Sequence, residues 1–224
     1  GAELVNVTDT ESSLTFLGSV TLNDGTYGSQ TISILSGSSL TLNGEITVSA
    51  NFRISAQAID GDAVLDGSAT KTITFNVEWG EVSIDGLQFE PGVAVSLSDV
   101  TTLTNVIVRD AVAFTADAVV SNSFLATNAA ATLSDGVTVT ISGVVTAGTI
   151  QTSDDGTDGG DVDTADLILA ANAKLVNATL DANAAGSDTG DVLNVTVGDG
   201  AELVNVTDTE SSLTFLGSVT LNDG

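Results

Sequence analysis

"GAELVNVTDTESSLTFLGSVTLNDG" occupies Gly1–Gly25, and the same twenty-five letters return at Gly200–Gly224. The offset is 199 residues, with no substitution, insertion or deletion inside the match. An old duplication would have drifted. The chain therefore reads as a window on a longer tandem array, one full period and the start of the next.

A shorter period runs inside the long one. An apolar residue followed closely by Asn, Asp or Gly recurs at Leu4, Leu22, Leu42, Leu65, Ile84, Leu103, Val120, Ile141, Leu175 and Leu203. The successive spacings are 18, 20, 23, 19, 19, 17, 21, 34 and 28 residues. Most lie near twenty. The two long ones hold polar inserts, "TSDDGTDGGDVDTAD" at Thr152–Asp166 and "DANAAGSDTGD" at Asp181–Asp191. Periods of this size mark architectures in which each repeat is one supersecondary unit that buries its apolar face only against its neighbours.

Within each period the residues alternate, as in "SVTLND", "LTLNGEITVSA" and "VTVTISGVV". Val, Ile, Thr and Leu at period two predict short strands with one buried face. "TADLILAANAKL" would also permit a helix, but "KLVNATL" matches the other repeats and favours a strand there. The recurring Asn suits the bends. A side-chain amide bonds backbone groups that a turn leaves unpaired, and stacked amides can bond one another in a ladder. Asn6, Asn105, Asn122, Asn177 and Asn205 are the candidates. Asn6, Asn177, Asn194 and Asn205 also stand in N-x-S/T sequons, but the structural role is the preferred reading.

"ELVNVTDT", "TLTNVIVRD" and "ATLSDGVTVTISG" resemble the parallel β-helix proteins of the pectate-lyase and filamentous-haemagglutinin type. The resemblance covers nearly the whole chain and is one of texture. It implies an all-β parallel β-helix, or β-solenoid, of about nine to ten coils per 199-residue unit, with the right-handed crossover that parallel strands prefer. Residues 1–199 would be one unit and 200–224 the start of the next, identical one. It also implies one of two trades, carbohydrate-active enzyme or surface adhesin and fibre, between which a fold does not choose.

Composition narrows the trade. Four Lys+Arg stand against 30 Asp+Glu, a formal net charge of −26. Nucleic acid and anionic membranes need a basic footprint and are unsuited as partners. No apolar run reaches the ~18 residues of a membrane-spanning helix. The chain has no Cys, His or Met, which removes the usual zinc sites and any Cys or His catalysis. The lyases of the resembling group use a basic proton abstractor beside Ca²⁺. Here Arg53, Lys71, Arg109 and Lys174 are scattered over different repeats. Asp66 and Asp85 follow the anchor in neighbouring repeats and could form a glycosidase pair, but other Asp-Gly pairs of the chain argue that both are turn residues. "TKTIT" and "VTVT" hint at a surface-binding face of T-x-T runs, without recurring in step.

The most site-like stretch is the first insert. Asp154, Asp155, Asp158, Asp161, Asp163 and Asp166 crowd a Gly-rich loop. Hard cations take several oxygen ligands from such loops, so Ca²⁺ is the candidate cofactor, and the alternative is a solvated loop that binds nothing. The spacing resembles the Asp-rich calcium loops of extracellular repeat proteins and departs from the EF-hand loop.

Neither end of the sequence carries a polar cap over its core-like repeat, although an open solenoid end exposes unpaired strand edges. The expectation is a structural, non-enzymatic unit of an extracellular fibre, stalk or adhesin at the cell surface. Its first partner would be itself, head to tail, with carbohydrate or a cell surface beyond. The alternatives are a carbohydrate-active β-helix enzyme and a pair of immunoglobulin-like sandwiches. The latter usually carry a core Trp and a corner Tyr in each domain. This chain has a single Trp79 and a single Tyr27.

Overall fold

The structure, a computed structural model, describes residues 2–9, 14–27, 31–34, 39–48, 53–55, 58–61, 64–66, 71–75, 82–85, 88–89, 93–97, 100–153, 162–182 and 190–223. These residues form strands and turns, with no helix among them. Every pairing between the described strands is parallel. The sandwich alternative fails on this point, because immunoglobulin-like sheets are antiparallel. The stretch that would have permitted a helix is two strands, Thr164–Leu169 and Lys174–Val176, around a turn.

The pairings sort into three ladders that the chain visits in turn. In the first, one column runs partner to partner through Ala2, Val20, Leu40, Ile59, Ile84, Leu103, Val120, Ile141, Leu169, Val197 and Phe215. The second starts at Val7, Gly25, Ile46, Leu65 and Phe89. It continues past Ile107–Val108 and Ser123–Leu133 to Val145, Leu175, Leu203 and Leu221. The third links Leu14, Ile32, Ile54, Phe75, Leu97, Phe114, Leu133 and Thr152.

Alternation gives each ladder an inner and an outer face, because successive side chains of a strand point opposite ways. Thr164–Leu169 and Val192–Val197 alternate strictly between half-buried and buried positions. Leu103, Val120, Ile141, Leu169 and Val197 are buried one upon another in the first column. With so few aromatics, the core is filled by Val, Leu, Ile and Ala, around large buried side chains such as Phe89 and Phe114.

The anchor series of the sequence is right in part. Leu22, Leu103, Val120, Ile141, Leu175 and Leu203 are all buried. They do not form a single stack, however. Leu65 belongs to the second ladder, and the first ladder passes through Ile59 instead. Leu175 pairs with Val145, not with Ile141, and so also belongs to the second ladder. The physical reason is that a bend follows every ladder. An apolar residue before Asn or Gly marks a bend without saying which one.

The two copies of the repeat show the consequence. Leu4 pairs with Leu22, and Leu203 pairs with Leu221, in identical register. Asn23 Nδ2 donates to Glu3 Oε1 at 2.5 Å, and Asn222 Nδ2 to Glu202 Oε1 at 2.5 Å. Yet Leu4 lies on the first ladder and Leu203 on the second. The same sequence is thus set twice into the same local geometry, displaced by one ladder.

Candidate functional site

The bends are made by residues with left-handed backbone. Asn6, Asn105, Asn122, Asn177 and Asn205 have φ of 53°, 55°, 50°, 57° and 52°. All five are the Asn residues expected at bends. Asn tolerates this region better than most side chains because its short polar group bonds locally. Asn6, Asn105 and Asn122 turn the chain from the first ladder to the second, while Asn177 and Asn205 turn it from the second to the third. One rung of the amide ladder is present, with Asn205 Nδ2 donating to Asn177 Oδ1 at 2.9 Å. Asn122 Oδ1 instead accepts from the Val144 N–H at 3.4 Å, one cycle on.

Carboxylates do similar work, which the sequence reading missed. Asp117 Oδ1 accepts from the Thr138 N–H at 2.7 Å, Asp135 Oδ1 from the Thr164 N–H at 2.9 Å, and Asp199 Oδ1 from the Ser218 N–H at 2.8 Å. Each reaches across to the next cycle of strands. Part of the acidity of this chain therefore bonds backbone that a bend leaves exposed. The only signal for it was the position of these Asp residues at strand ends.

Of the six acidic candidates in the first insert, Asp154, Asp155, Asp158 and Asp161 lie outside the described residues. Asp163 is buried at 8% exposure, and its Oδ2 accepts from Ser153 Oγ at 3.0 Å. Its N–H donates to Asp191 Oδ1 at 3.2 Å, which ties the two inserts together at their bases. Asp166 sits on the first ladder, and its Oδ1 accepts from Asn194 Nδ2 at 3.0 Å. Asp163 and Asp166 thus both have protein donors. Among the described residues, no group of three or more acidic side chains is placed to hold a metal ion.

The two carboxylates considered as a glycosidase pair stand on different ladders. Asp85 pairs with Asp60 and Thr104 on the first ladder, whereas Asp66 pairs with Thr47 on the second. Arg109 Nη1 donates to the Phe89 carbonyl at 3.4 Å, and Lys174 Nζ meets Glu202 Oε2 at 3.1 Å. Those two cations are engaged in holding neighbouring cycles, while Arg53 and Lys71 stand at strand positions whose side chains lie outside the described set.

A hollow of about 380 Å³ opens beside the second copy of the repeat, lined by Leu180, Leu203, Leu213, Phe215 and Leu221. No family model matches the chain, and no curated protein or solved structure matches it.

Proposed function

We propose that this chain is a unit of a parallel β-solenoid whose work is mechanical, as a stiff extracellular fibre, stalk or adhesin shaft. One observation carries the reading. Glu3, Leu4 and Val5 pair with Thr21, Leu22 and Asn23 in the register in which Glu202, Leu203 and Val204 pair with Thr220, Leu221 and Asn222, although the two copies sit on different ladders. A sequence that fits its neighbours at either phase is suited to stacking.

In this reading each passage through three ladders is one coil. Nine steps of the first column lead from Ala2 to Val197, and the repeat then resumes one ladder later. A unit of 199 residues therefore makes nine and one third coils, close to the nine to ten expected, and the coil is right-handed by the general preference of parallel crossovers. At ~4.8 Å per coil the unit advances ~45 Å. The net charge of −26 keeps shafts soluble and apart. The four Lys and Arg residues stand in different repeats of the sequence, which favours a structural role as the reading of the sequence.

Single-molecule stretching tests this. A shaft of stacked coils should unzip in steps near one coil, ~20 residues or ~70 Å of extended chain. Rupture in one or two events of several hundred ångströms, or cleavage of an acidic polysaccharide by the isolated chain, would count against the proposal.

A further inference from the structure

We draw no further inference here: the strongest candidate, the partly exposed apolar patch that Ile107, Phe124, Val144 and Val176 make on the outer face of the second ladder, carries nothing because nothing in the structure shows what covers it.

Discussion

A residue in left-handed backbone has few substitutes. Asn177 has φ of 57° and accepts the amide of Asn205, so two effects meet in one side chain. Asn177→Ala should lose both the conformational tolerance, ~1–2 kcal/mol, and a hydrogen bond of ~0.5–1.5 kcal/mol. Asn177→Gly keeps the backbone freedom and loses only the bond. Denaturant midpoints should rank wild type above Asn177→Gly above Asn177→Ala, and the reverse order of the two variants would contradict the bend assignment. Gly148 is the complementary case. A Cβ there would run into the Ala126 carbonyl oxygen, where Ala126 is itself buried with φ of 48°. Gly148→Ala forces the two segments apart and should cost ~1–3 kcal/mol or more, the usual range for overpacking. The Asn bends were legible as letters, because Asn has a chemical reason to stand at them. The bend at Ala126 was not legible, since Ala has no such reason. Gly148 on the neighbouring strand leaves the space that the Ala126 carbonyl occupies.

At the scale of the strand, period-two alternation was enough to read the elements, including the strand that Ala and Leu disguised as a helix. The ladder to which each strand belongs was harder. Leu65 and Leu175 looked like members of one column because each precedes Asp or Asn at short range, yet both pair within the second ladder. Leu103, Val120 and Ile141 do form a stack. Leu103→Ala should cost ~2–5 kcal/mol, as buried leucines do. The loss should stay local because each coil touches mainly its neighbours. Hydrogen exchange should quicken in Val82–Asp85, Val100–Thr104 and Ala118–Ser121, and leave Val192–Val197 unchanged. Uniform quickening along the chain would contradict a stacked array. The insert Thr152–Asp166 belongs to this scale too. As a calcium loop it should raise the melting temperature in millimolar Ca²⁺, and Asp158→Ala with Asp161→Ala should remove the rise. An unchanged melting temperature makes it a solvated excursion whose base is tied down by Asp163. The bond from Asp163 to Ser153 explains part of the clustered acidity without a metal.

For the whole molecule, the repeat of Gly1–Gly25 at Gly200–Gly224 announced stacking but hid its phase. Counting anchors in the sequence assumes that Leu203 returns to the place of Leu4. In the structure it returns one ladder on, because the inserts and the Ile59-to-Ile84 step make the 199 residues a non-integral number of cycles. Any feature fixed to one side of a unit would then appear on three successive sides along an array. On the proposed reading of stacked coils, three units would complete twenty-eight coils and ~134 Å before the pattern returned, at ~4.8 Å per coil.

The most direct test of stacking is the distance between equivalent points of the two copies in a single chain. Thr8 and Thr207 are equivalent, exposed, and free of competing cysteines. Spin labels on Thr8→Cys and Thr207→Cys, measured by double electron–electron resonance in a magnetically dilute sample, should give one distribution centred at ~45–50 Å, from nine and one third coils at ~4.8 Å with a small sideways offset. A centre beyond ~60 Å, as for domains strung end to end, or below ~30 Å, as for a chain folded back on itself, would contradict the stack of parallel coils.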